Sequence, residues 1–170
     1  SRRAKRSSQR HGVEERSDPR RGGRHRLQFG ASRGLSGPVA RTDADGFYQM
    51  AVDEDDVIFV IKPCDYAPLL DDLMLPKLHA PAGVRNHDFF LVREPEEESF
   101  DVLLIADPQP GNREELGYLA NILALMTQQK MPRFAITLGD LIGDQPQLYD
   151  AYNQLIAQLR VPIWNLPGNH

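Results

Sequence analysis

The chain has 170 residues, 41 % of them hydrophobic, with 20 Lys and Arg against 24 Asp and Glu and a single cysteine. That is enough apolar side chain to bury a core, which excludes wholesale disorder. The longest clear apolar run, Val57-Ile58-Phe59-Val60-Ile61, falls far short of the roughly 18 residues a membrane helix needs, and Cys64 alone excludes an internal disulfide and a multi-cysteine zinc cage.

The net charge of −4 conceals a split: residues 1 to 33 carry +8 and the rest of the chain −12. The Arg-rich tail over residues 1–32, opening SRRAKRSSQRHGVEERSDPRRGGRHR, has no apolar period of two or of 3.6 and so nothing to bury. Clustered Arg and Lys can release counterions from phosphates, which would suit a nucleic-acid arm. A solvated, disordered extension, or sequence that does not belong to the native protein, is the expectation, with nucleic-acid binding set aside.

Residues 33–93 read as a small all-β unit, sandwich-like. Thr42-Asp43-Ala44-Asp45-Gly46-Phe47-Tyr48 sets an Asp-Gly turn before a short aromatic strand. Val57–Lys62 reads as a buried strand stopped by Pro63, and Asp88–Arg93 as another. Between them Pro68, Pro76 and Pro81 exclude a long helix. His11, His25, His79 and His87 are expected on the surface. Residues 94–99, Glu94-Pro95-Glu96-Glu97-Glu98-Ser99, form a charged linker.

From residue 100 to 170 the rhythm changes. Asp101–Ala106 (DVLLIA) is a buried strand. Asn112 followed by Glu115 makes a capping box, and Leu116, Leu119, Ile122, Leu123 and Met126 recur at helical spacing to about Gln129. Phe134–Leu138 (FAITL) is the next strand. Pro146 opens a second helix with the stripe Leu148, Tyr149, Tyr152, Leu155, Ile156 and Leu159, and Ile163–Leu166 (IWNL) is a third strand. Alternating strands and helices with nearly continuous apolar strands predict a parallel α/β layer.

Ligands of such sheets gather at the carboxyl ends of the strands. There the sequence places Asp107-Pro108-Gln109, then Gly139-Asp140 with Asp144 beyond, then Gly168-Asn169-His170. Each pattern alone is an ordinary turn. Three in register deliver carboxylate, amide and imidazole donors to one edge, a set suited to divalent cations rather than to soft metals.

This order, D-x-Q, then G-D about 30 residues on, then G-N-H about 30 further, resembles the calcineurin-like metallophosphoesterases. TDADGFYQM, VIFVIKP and the approach into IADPQP are similar to the N-terminal β accessory domain of a bacterial subgroup, so the resemblance spans roughly residues 30 to 170. It implies the first half of an αββα sandwich and two divalent metal ions, Mn, Fe or Zn, with metal-activated water hydrolysing phosphomonoesters or phosphodiesters. Asp107 and Gln109 would ligate the first metal, with Gln109 standing where most of the family has His. Asp140 would bridge both metals and Asn169 would hold the second through its carbonyl oxygen. His170 would be catalytic, steadying developing charge or protonating the leaving oxygen. Resembled enzymes supply further acidic and histidine ligands beyond G-N-H, so the chain reads as an N-terminal fragment, inactive alone, of a phosphoesterase. The alternative is a non-catalytic binding or adhesion protein with a degenerate phosphoesterase fold, which Gln109 in place of His favours.

Overall fold

The structure is a computed structural model and describes residues 7–16, 28–32, 37–83 and 87–169. It contains both helices and strands, and the chain falls into two compact units. One comprises residues up to Leu69 together with Lys77–Glu96; the other comprises Leu70–Pro76 together with residues from Glu97 on.

The first unit holds eight strands: β1 (Ser7–Arg16), β2 (Gln28–Ser32), β3 (Val39–Arg41), β4 (Phe47–Val52), β5 (Val57–Ile61), β6 (Tyr66–Pro68), β7 (His79–Pro81) and β8 (Phe89–Arg93). They form two four-stranded sheets, in the orders β4-β1-β8-β6 and β3-β2-β5-β7. Strict alternation decides which faces are buried: Tyr48, Met50 and Val52 on β4, and Ile58 and Val60 on β5. The Asp43 turn forms as its sequence suggests, with Asp43 Oδ1 accepting the N–H groups of Asp45 and Phe47.

The expectation of disorder across residues 1–32 fails over Ser7–Arg16 and Gln28–Ser32. The first half of β1 pairs antiparallel with β4, from Ser7↔Val52 to Gly12↔Phe47, and its second half pairs parallel with β8, from Val13↔Phe89 to Arg16↔Val92. The physical reason is that a ladder is built from backbone groups, which Arg, Ser and Glu carry as well as Val does. A missing side-chain period therefore removes the signal for a strand without removing the strand. Residues 1–6 and 17–27 lie outside the described residues. His87, expected on the surface, is buried, and Tyr48 Oη donates to its carbonyl at 3.2 Å. Burial, aided by the charge of Asp88, pushes the Tyr48 phenol well above its ordinary range.

The second unit contains β9 (Val102–Ile105), α1 (Arg113–Met126), β10 (Phe134–Leu138), α2 (Tyr149–Ile156) and β11 (Ile163–Leu166). A 3₁₀ turn precedes α2 at Pro146–Leu148 and another follows it at Ala157–Leu159. The sheet order is β11-β10-β9, parallel throughout, with Phe134↔Val102 and Ala135↔Ile163 setting the register. The capping box forms: Asn112 Oδ1 accepts Glu115 N–H at 3.0 Å, and Glu115 accepts Asn112 Nδ2 at 2.8 Å and Gly111 N–H at 2.6 Å.

Both helices pack on one face of this sheet. Leu116 and Leu123 of α1, Tyr152 and Ile156 of α2, and Ile105, Ala135 and Ile163 of the strands share one buried cluster. Ile122 and Met126, part of the expected stripe of α1, are exposed instead. The opposite face is apolar too, and its Leu104, Leu138 and Leu166 are exposed. One outer edge is partly covered by the segment Leu70–Pro76: Ile163 N–H donates to Met74 O at 3.0 Å, while Met74 and Leu75 pack against the core. Near the start of β10, Arg133 pairs with Glu97 at 2.9 Å and lies over the Phe100 ring.

Candidate metal centre

The carboxyl ends of β9, β10 and β11 lie side by side because the three strands are parallel and in register. Strands β9 and β10 are each followed by a sharp change of direction. Asp107 has φ 50°, Gln109 φ 37° and Asp140 φ 45°, all left-handed, and Gly139 before Asp140 has φ 89°. Asp tolerates this region through its short polar side chain; Gln has no such ease, and a left-handed L-residue costs roughly 1–2 kcal/mol. Met74 and Arg160 are the other non-glycine residues with positive φ among those described. Three of these five positions are expected metal ligands. Strain of this kind persists where surrounding contacts hold it in place, and it collects at functional sites.

Those contacts are present. Gln109 N–H donates to Asp140 O at 3.1 Å, joining the turn after β9 to the turn after β10. Gly143 N–H donates to Pro110 O at 3.1 Å, a second tie between the same two segments. Asn169 N–H donates to Asp140 Oδ1 at 2.8 Å, joining β10 to β11. Asp140 is thus the hub of the arrangement, linked through its carbonyl to one neighbouring loop and through its carboxylate to the other. Asp107 and Asn169 are exposed, whereas Gln109 and Asp140 are half-buried.

Close approach of the backbones explains the glycines. A Cβ on Gly168 would lie 1.7 Å from Asp140 Oδ1 and 2.2 Å from Asp140 N. A Cβ on Gly139 would lie 3.0 Å from Gly168 Cα, at a φ that side chains rarely adopt. Only glycine at 168 allows the chain to pass close enough for Asn169 to reach the Asp140 carboxylate.

The structure therefore brings Asp140 and Asn169 together and ties Gln109 to them through the backbone, with Asp107 two residues before Gln109 on the same turn. His170 lies outside the described residues. Among the described residues no group of three or more His, Cys, Asp and Glu converges. Two of the four expected ligands, Gln109 and Asn169, are amides, so the carboxylates of the set are Asp107 and Asp140 alone. These are hard oxygen donors, which suit a divalent cation held at low coordination by this chain.

Sequence reasoning missed one polar contact beneath these loops. Thr137, fully buried, donates from Oγ1 to Asn165 Oδ1 at 2.7 Å, with Trp164 O a more distant acceptor at 3.5 Å. Its signal was a Thr and an Asn interrupting otherwise apolar strands. Among the described residues no helix is long and apolar enough to cross a membrane. The chain matches no family model, no curated protein and no solved structure.

Proposed function

We propose that this chain carries the N-terminal ligands of a metal-dependent phosphoesterase, of the calcineurin-like type its motifs resemble. Residues 100–170 are read as the first half of the αββα catalytic sandwich, and the eight-stranded unit as a sandwich-like accessory module. The observation that carries this reading is the left-handed backbone at Asp107, Gln109 and Asp140, with Asp140 bonded to both neighbouring loops. Met74 and Arg160 hold left-handed backbone in turns away from these loops, but the other three such residues among those described all fall at expected ligands. Strain of this kind collects at functional sites. The exposed apolar face of the α/β sheet further supports a layer that is covered in a longer parent.

In this reading Asp107 and Gln109 hold one divalent cation, Mn, Fe or Zn, Asp140 is shared between two, and Asn169 holds the second. Bound there, such cations lower the pKa of water and stabilise charge on a transferring phosphoryl group. The residues of this chain contribute orientation. The Asn169 N–H fixes the rotamer of Asp140, and Gln109 N–H, donating to Asp140 O, fixes the Asp140–Leu141 peptide. His170 is placed by sequence alone, as a proton donor to the leaving oxygen. The substrate is a phosphate ester, monoester or diester.

A second reading keeps the fold and drops the chemistry: a binding or adhesion protein with a degenerate site. Gln109 in place of His favours it, since an amide oxygen is a weaker donor than imidazole. The parent enzyme, assayed with an aryl phosphate and a bis-aryl phosphate at several Mn²⁺ concentrations, decides between the two. Hydrolysis that depends on Mn²⁺ and falls at least ~10²-fold in Asp140→Asn supports the enzyme. Absence of Mn²⁺-dependent hydrolysis, with Asp140→Asn indistinguishable from the unaltered protein, supports the binder.

A further inference from the structure

Strands β9, β10 and β11 read VLLI, FAITL and IWNL, apolar on both faces. Register in a sheet is set chiefly by alternation between a buried apolar face and a polar one. Here that device is weak, because apart from Thr137 and Asn165 sliding β11 against β10 exchanges one apolar side chain for another. Such a slide would nevertheless ruin the site. Two residues of slip preserve the faces but move the strand by about 6.6 Å, whereas metal–oxygen distances are near 2.0–2.2 Å. Asn169 must therefore be held opposite Asp140 by something other than the apolar pattern.

We propose that Thr137 and Asn165 are positioning residues whose hydrogen bond pins the register of β11 on β10 and so sets the Asp140–Asn169 spacing; this rests on the metal-centre reading above. The two residues are direct register partners, three positions before Asp140 and four before Asn169. They form the rim of the helix-covered face, in the row that continues to Ile105. Thr137 is fully buried, so its hydroxyl has no solvent to turn to if Asn165 moves. In a register slipped by two, Ile163 or Pro167 would stand opposite it, and neither side chain accepts a hydrogen bond. The wrong registers thus lose the short side-chain bond and leave the buried hydroxyl only a long contact to a backbone carbonyl, like that to Trp164 O at 3.5 Å. A side chain–side chain bond between adjacent parallel strands does here what alternation does in half-exposed sheets.

The test uses the full 170-residue chain and two readouts: the thermal midpoint of the metal-free protein, and the affinity for Mn²⁺ read from the resonance signal of the free ion. Asn165 is exposed, so Thr137→Val leaves its amide to water and folds. Thr137→Val should weaken Mn²⁺ binding by about tenfold or more, the range for outer-shell partners of metal ligands. Thr137→Ser, which keeps the hydroxyl, should stay within about threefold. Thr137→Val with Asn165→Leu replaces both partners by apolar groups and should recover the thermal midpoint while Mn²⁺ binding stays weak. Recovery of both midpoint and affinity in that double variant would overturn the proposal, leaving the pair a structural contact only. Equal Mn²⁺ affinity in all variants would overturn it too, with the metal centre intact. An unaltered chain that binds no Mn²⁺ would instead defeat the metal-centre reading, and the positioning role with it.

Discussion

Gly168→Ala probes the site through packing alone. The added Cβ would meet Asp140 N at 2.2 Å and Asp140 Oδ1 at 1.7 Å. The first contact is with backbone, so the two loops must separate by about 1 Å to reach an ordinary carbon–nitrogen distance, and overpacking of that sort costs typically 1–3 kcal/mol. Separation also removes the Asn169 N–H to Asp140 Oδ1 bond, worth about 1.5–3 kcal/mol for a charged acceptor. The two costs overlap, since breaking the bond relieves the clash, and about 3 kcal/mol is a reasonable total. For a unit of this size 1 kcal/mol shifts the midpoint by roughly 4–8 °C, so a fall of about 10 °C or more is expected. Gly117→Ala is the control: it lies within α1 with nothing within 4 Å of the new Cβ, and it should raise stability by about 0.5–1 kcal/mol. Thermal unfolding and Mn²⁺ titration of both variants provide the assay. If Gly168→Ala melts with the unaltered protein and binds Mn²⁺ equally well, the close approach of the two loops is not a feature of the molecule.

Other substitutions test separate parts of the molecule. Asn112→Ala removes the N-cap bond to Glu115 N–H and the side-chain bond to Glu115, leaving Glu115 on Gly111 N–H, and should cost about 1 kcal/mol in chemical denaturation, with metal affinity unchanged. Tyr152 is fully buried and its hydroxyl has no hydrogen-bond partner among the described residues, so Tyr152→Phe should stabilise by about 1 kcal/mol. Burial pushes the Tyr152 phenol up to about 12 from its model-compound value of 10.0. A raised folded-state value means stability that is complete below pH 10 and is lost as pH climbs toward 12. Denaturation followed across that range should show the loss, and Tyr152→Phe should lessen it, with buried Tyr48 contributing to the remainder. Gln109→His in the parent should keep or strengthen metal binding, measured as bound metal per chain after dialysis, because imidazole is the better donor for these transition metals; weaker binding would remove Gln109 from the ligand set.

Elements whose stabilising side chains are local in sequence were the legible ones. Strand β10 runs over Phe134–Leu138 and β11 over Ile163–Leu166, the same residues that their apolar runs delimit. The start of α1 was equally plain, because Asn112 and Glu115 form their bonds three residues apart. What stayed hidden depends on distant partners. Strand β1 carries no apolar period, and its ladder is visible only once β4 and β8 stand beside it. The segment Leu70–Pro76 gave no sign that it belongs with residues beyond Glu97, since its tie to Ile163 is a backbone bond across the chain. At the candidate site the places of Asp107, Gln109, Asp140 and Asn169 just after the parallel strands were readable. The left-handed turns and the crowding at Gly168 were not, because backbone dihedrals and cross-loop contacts leave no mark in composition.

The convergence of the three strand ends on a cation can be observed directly by adding Mn²⁺ to the isotopically labelled chain and following the backbone amide resonances. The ion broadens nearby nuclei, so the signals of Asp107, Gln109, Asp140 and Asn169 should fade together at low Mn²⁺ and return in Asp140→Asn. Broadening confined to the acidic loop Asp53–Asp56, or none at all, would contradict a metal centre at the carboxyl ends of β9, β10 and β11.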